Sequence, residues 1–321
     1  MKKYLFIILA LLPITSSAHV RYLVEKDVVE QNSGVDNMFL LQPLTEPLNL
    51  FLMFITIAAA LGALYLSKKL TFIKKKIGLI CKRANGYKIF IPWILRLSAG
   101  IALIGSGVSN SLVSPVVSVH GGLATLEILL GFLLMAGFLV VPTAMVSIFL
   151  YILAFQTDWY VLGNLDFLAV VFALLLVDNE RPGIDDLLGI PHFSPFNKFK
   201  KLAPFVLRVG IGGAMMFLAV YEKFLNPHIS EIIVRNFGLM DIVPLDPSIW
   251  VLSAGIIEFA IGAALLVGYR TRLMSTIAFA VLSLSFFHFG EDVSSHITLF
   301  GILAILFITQ GGKWSMDEKC G

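Results

Sequence analysis

The sequence predicts an all-α membrane protein of about nine transmembrane helices, one leading span followed by two parallel four-helix bundle repeats. Three observations predict it. Hydrophobic residues make up 58% of the chain and charged residues only 14%, where a soluble domain carries about 25% charged residues. Mean hydropathy is +0.88, and apolar stretches of bilayer length recur between short polar connections. Finally, WVLSAGIIEFAIGAALLVGYRTR (250–272) repeats the pattern of GGLATLEILLGFLLMAGF (121–138). Glu127 with Glu258, Gly131 with Gly262, Gly137 with Gly268 and Phe155 with Phe286 all share one offset.

Each repeat therefore carries one acid near mid-span. A charge at bilayer depth costs roughly 2.5–3.5 kcal/mol on insertion scales, so such residues face a bundle interior and a partner. Helical spacing puts Ala254, Gly255 and Gly262 on the face of Glu258, and Ala124 and Gly131 on that of Glu127. Small residues there admit a close neighbouring helix. The net charge of +3 gives no ground for a nucleic-acid partner, because the basic residues cluster beside apolar spans as a topology signal does. No CxxC, P-loop, GxSxG or HExxH occurs.

In chain order, residues 1–18 read as a signal peptide, with Lys2 and Lys3 ahead of a short apolar core and cleavage after Ala18. An uncleaved first span is the alternative. Cleavage would leave His19 at the start of an extracytoplasmic arm, 19–48, with its α-amine and ring offered to copper or zinc. Residues 49–66 form the first span, and the basic loop 67–90 places its far side in the cytoplasm. Cys81 in that loop and Cys320 in the tail are then both cytoplasmic, which argues against a structural disulfide.

Repeat 1, 91–177, holds spans at about 91–113, 121–140, 142–157 and 164–177. The linker 178–202 returns to the cytoplasm, with Lys198, Lys200 and Lys201 abutting the next span. Repeat 2, 203–310, holds spans at about 203–222, 249–268, 273–289 and 295–310, and the tail 311–321 is cytoplasmic. If the chain is bacterial, this is an inner-membrane protein with its mature N-terminus outside. Between the first two spans of repeat 2, ISEIIVRNFGLM reads as an amphipathic surface helix, because Ile229, Ile232, Ile233 and Phe237 recur at helical spacing.

Repeat 2 resembles the DoxX family of four-helix membrane proteins. The matching residues are Leu207-Arg208 with Gly210, Gly212 and Gly213, then Glu222-Lys223-Phe224, Glu258, and the turn Gly268-Tyr269-Arg270-Thr271-Arg272. Repeat 1 keeps Leu95-Arg96, Gly100, Glu127 and Gly137, but has Ser111 in place of Lys223 and Val140-Val141 at the basic turn. The resemblance implies the fold, and by analogy a link to quinone-dependent sulfur oxidation, as in thiosulfate:quinone oxidoreductase, or to a redox-enzyme partner in the membrane.

On that reading Glu258 could exchange a proton with a quinone headgroup, or be a structural acid bonded to Arg208 or a neighbouring helix. Glu127 is its counterpart in repeat 1. Lys223 could neutralise Glu258 or an anion such as thiosulfate, or be an interfacial lysine reaching for the surface. Glu222 need not pair with it, since adjacent helical residues point about 100° apart. His288 and His296 flank a short outer turn containing Glu291 and Asp292. With His19, His120 and His228 they put five of six histidines outside, which suggests an extracytoplasmic copper or zinc site or merely polar interface residues. Asp166 reads as an acid favoured at a helix N-terminus. Phe286, Phe287 and Phe289 line an apolar quinone pocket or belong to an aromatic belt. The rival readings are a metal-handling or small-solute transporter, though no broken helix is evident, and a non-catalytic envelope scaffold.

Overall fold

The computed structural model describes residues 26–36, 38, 39, 45, 47, 50, 83, 84, 86–177, 183–191, 196–242 and 244–317. The expected signal peptide, His19, the leading span 49–66, most of the basic loop, Cys81 and Cys320 lie outside the described residues. The elements are α1 (Lys26–Asn32), α2 (Ile91–Val108), β1 (Ser111–Leu112), β2 (Ser114–Ser118), α3 (Gly122–Ala136), α4 (Val140–Thr157), α5 (Leu165–Leu176) and α6 (Ile184–Leu187). Then come α7 (Ala203–Leu218), α8 (Pro227–Asn236), α9 (Leu239–Ile242), α10 (Pro247–Val267), α11 (Thr271–Phe289) and α12 (Val293–Thr309). Tight 3-10 turns at Tyr87–Phe90, Trp159–Asn164 and Asn197–Leu202 lead into α2, α5 and α7, and a π-helical segment, Ala219–Leu225, continues α7.

This is an all-α membrane protein. Among the described residues, six helical stretches are long and apolar enough to cross a membrane, and α3 and α12 are shorter apolar helices. Starts and stops follow local chemistry. Pro92, Pro204, Pro227 and Pro247 sit in the first turns of α2, α7, α8 and α10, where a missing N–H costs nothing. Asp246 caps α10 by accepting from Ser248 N at 2.9 Å. Both α3 and α10 end on a left-handed glycine, Gly137 at φ 69° and Gly268 at φ 70°. Phe138 N then reaches Leu133 O at 2.9 Å and Tyr269 N reaches Ala264 O at 2.8 Å, closing the same cap twice.

Two glycine contacts set the closest helix pairs. A Cβ on Gly131 of α3 would lie 2.6 Å from Gly100 O of α2, and one on Gly212 of α7 would lie 2.7 Å from Gly262 O of α10. In a bilayer such backbone approach replaces the hydrophobic drive that water would supply. The residues 91–176 and 203–309 also interlock, since α5 packs on α7 and α12 packs on α2. Leu95, Leu103, Leu134, Leu207, Ile211, Leu265 and Leu306 belong to one buried core shared by both. A second cluster, with Ile229, Ile233, Leu239 and Trp250, seats the amphipathic α8 and short α9 against α10.

Three expectations need correction. The span placed at 91–113 ends at Val108, and Ser111–Ser118 instead forms a hairpin bent around Val113, whose φ is 59°. The Val-rich stretch there is short, and β-branched residues favour strand over helix once the apolar run is broken by Ser109 and Asn110. The span placed at 121–140 stops at Ala136, because Gly137 takes the left-handed conformation that ends a helix. The span placed at 203–222 is no uniform α-helix, as it widens into the π segment from Ala219.

Candidate functional site

The site grows from the buried face of α10. Ala254, Gly255, Glu258 and Gly262 all lie on it, as helical spacing predicts. Gly255 is needed there for space, since a Cβ would meet Phe224 Cε1 at 2.5 Å and Lys223 Cβ at 3.0 Å. That gap admits the π segment, which is held in its wider winding by Asn226 N and Nδ2 donating to Tyr221 O at 3.0 and 2.9 Å. The result carries Lys223 inward, only 2% exposed.

Lys223 Nζ lies 3.1 Å from Glu258 Oε2 and 3.1 Å from Glu222 Oε2. The adjacent pair therefore does meet, both side chains being long enough to converge within the widened turn. Glu222 also accepts from the Tyr160 hydroxyl, and its backbone carbonyl accepts from Ser230 Oγ at 3.0 Å. Tyr160 is fully buried in the 3-10 turn before α5, which Asp158 caps by accepting from Tyr160 N at 2.9 Å. Around it Trp159, Phe217 and Tyr221 pack edge-on or stacked. Two carboxylates thus share one ammonium with almost no solvent. Removing that ammonium would leave both carboxylates buried without a cation, which is strongly destabilising.

A second buried group adjoins the first. Glu291 Oε2 lies 2.9 Å from His296 Nε2, and Glu291 Oε1 accepts from Ser285 Oγ at 3.2 Å. His296 Nδ1 faces Ser295 Oγ at 2.9 Å. Glu291 is an electrostatic neighbour of Glu258, and Asp166 of His296. Asp166 does stand in the first turn of α5, but it is buried and accepts from Thr298 Oγ1 of α12, so it ties helices together as well as suiting a dipole.

The remaining candidates separate. Arg208 does not reach Glu258; its guanidinium donates to Leu266 O at 2.8 Å, Lys313 O at 3.1 Å and Trp314 O at 3.0 Å. It binds the end of α10 to the tail because its helical position lies beside Gly268, where a Cβ would meet its Nη1 at 2.5 Å. His288 is exposed and packs only its ring on Phe289, so it does not join His296. Phe287 is 80% exposed, Phe289 lies against Phe237, and Phe286 meets His296 and Phe300, so the three phenylalanines face different ways. Glu127 is fully buried and accepts from Val113 N at 2.8 Å. Ser111, at the place of Lys223, donates its hydroxyl to Ser106 O instead. Among the described residues, no group of three or more His, Cys, Asp or Glu is placed to hold a metal ion.

Tyr160 and Thr298 were invisible to sequence reasoning, since each meets its acid across a long chain separation and no local pattern marks either. No curated protein and no solved structure matches the chain. The DoxX family model matches residues 203–290, a stretch that takes in Arg208, the π segment and Glu258 but stops short of His296. Over that stretch the chain is similar to the DoxX family.

Proposed function

We propose that the protein is the membrane component of an extracytoplasmic, quinone-linked redox system, in which the Glu222–Lys223–Glu258 cluster holds and passes protons. The observation that carries the reading is the buried pair of carboxylates on one ammonium, with the Tyr160 hydroxyl at its end. Quinone reduction takes up two electrons and two protons. A redox-enzyme partner delivers the electrons, and the cluster handles the protons. In this reading Lys223, Glu291 and His296 lie toward the extracytoplasmic side, the tail and Arg208 toward the cytoplasm, and residues 1–18 are the signal peptide. A bacterial chain of this kind sits in the inner membrane, surrounded by lipid.

An apolar cavity of about 460 Å3 supports a place for the quinone ring. Tyr87, Phe279, Leu303 and Phe307 line it, and Ser275 Oγ, buried there without a hydrogen-bond partner, suits a quinone carbonyl. Glu258 does not line that cavity, so in this reading it acts on protons without touching the quinone. The two stretches 91–177 and 203–310 are read as tandem repeats. Their shared features include Arg96 beside Gly137 and Arg208 beside Gly268. Asp185 accepts from Leu139 N at 3.0 Å and Asp317 from Thr271 N at 2.9 Å, so each turn after the capping glycine has its own acid.

The test is gentle purification from native membrane, with mass spectrometry of bound quinone and co-purified proteins, followed by turnover. Bound quinone with turnover reduced a hundredfold or more in Glu258→Gln supports the reading, the scale typical of a lost proton-transfer group. Protein free of quinone, whose partner is unaffected by Glu258→Gln, overturns it. Small-solute transport is the second reading, favoured by a polar cavity between the two halves. Metal handling keeps its own test, the copper and zinc content of wild type against His19→Ala.

A further inference from the structure

The turn between α11 and α12 and the hairpin β1–β2 enclose a cavity of about 230 Å3 that the proton cluster does not use. Its walls come from both halves of the molecule. Ser106, Ser111 and Asn164 contribute from the first, Glu291, Asp292 and Thr298 from the second. All of these except Asp292 are buried, and Asp292 is exposed. One acid thus stands at the mouth and another at depth, with hydroxyls and an amide between them.

We infer that this cavity is a binding site for a small organic cation of the amine class. No Lys, Arg or His lines it, and the histidine behind the lining, His296, is already engaged by Glu291, so an anion in the cavity would meet two carboxylates and no cation of the lining. The ends of the elements do not change that sign. The C-terminal ends of α2 and α11, at Ser109 and Gly290, face the N-terminal ends of α5 and α12, so the helix dipoles offset one another. The lining is rich in oxygen acceptors, which suit the several N–H donors of an ammonium group. A dehydrated metal ion fits less well. The volume exceeds what one ion fills, and no group of three or more His, Cys, Asp or Glu among the described residues is placed to hold one. Glu291 is positioned by Ser285 and His296, so the deep carboxylate is held in place before any ligand arrives.

The experiment uses the full chain in nanodiscs of zwitterionic lipid, with ethanolamine as probe and glycerol, thiosulfate, sodium and magnesium at matched ionic strength. Binding is read by calorimetry and by the shift in melting temperature. Ethanolamine is expected to bind saturably and to raise the melting temperature, while glycerol and thiosulfate do neither. Glu291→Gln should weaken binding tenfold or more, Asp292→Asn a few-fold, and Ser106→Val should abolish it by filling the cavity. If Glu291→Gln fails to fold, the other two variants carry the test. Absence of saturable ethanolamine binding, equal binding of glycerol, preference for sodium or magnesium, or binding unchanged in Ser106→Val would each overturn the assignment.

Discussion

The two halves of the molecule each bury an acid one helical turn before a packing glycine and satisfy it differently. Glu127 on α3 accepts a backbone N–H from Val113 of the hairpin, at 2.8 Å. Glu258 on α10 meets the ammonium of Lys223, at 3.1 Å, in the π segment. Both acids share their face with the glycine that brings their helix against its neighbour, Gly131 in one half and Gly262 in the other. The position of the acid therefore belongs to the packing, and its chemistry belongs to the connection that follows the first helix of each half. A short hairpin supplies one fixed donor that cannot change charge. A π segment supplies a cation, a second carboxylate and a tyrosine, which can.

The largest expected effect breaks this contrast at its centre. Lys223→Met leaves Glu222 and Glu258 buried without their ammonium, and should cost about 3–5 kcal/mol of stability, read from thermal unfolding in a fixed detergent. Next come the helix contacts the halves share. Gly131→Ala and Gly212→Ala each force a methyl against a carbonyl, and should each cost about 1–3 kcal/mol. Similar losses would support equivalent packing, whereas a large loss in only one half would break the parallel. Glu127→Gln should cost no more than about 1 kcal/mol, because the amide oxygen still accepts from Val113 N.

The smallest effect lies outside the spans. Burial holds the Glu231 carboxyl of α8 above its ordinary value, against the opposing pull of His228 and Arg235. A carboxyl raised on folding binds its proton more tightly in the folded state, so stability falls slightly as pH rises from the ordinary value through the raised one. Glu231→Gln should flatten that slope in melting curves recorded across the acidic range. An unchanged slope would remove Glu231 from the account.

Much of the bundle was legible from the residues. Hydropathy placed the ends of α4, α5, α10, α11 and α12 within two residues, because bilayer-depth helices leave a long uninterrupted apolar signal. The small-residue faces around Glu127 and Glu258 were legible for the same reason, as one turn of helix brings them together. The site was less so. The π segment departs from the 3.6-residue period on which the expectation for Glu222 and Lys223 rested. Arg208 looked like a partner for Glu258 because both are charges in one half, yet it satisfies three carbonyls at the other end of α10. Tyr160 meets Glu222 only because α5 of one half packs on α7 of the other, a tertiary fact with no local trace.

A double-mutant cycle of Lys223→Met with Glu258→Gln, read by thermal unfolding in one detergent, tests the shared buried charge most directly. The account predicts that the double variant regains part of what Lys223→Met alone loses, with a coupling of at least about 1.5 kcal/mol, because neutralising Glu258 removes a carboxylate the missing ammonium had balanced. Losses that add to within about 0.5 kcal/mol would show the two residues to be independent and would contradict it.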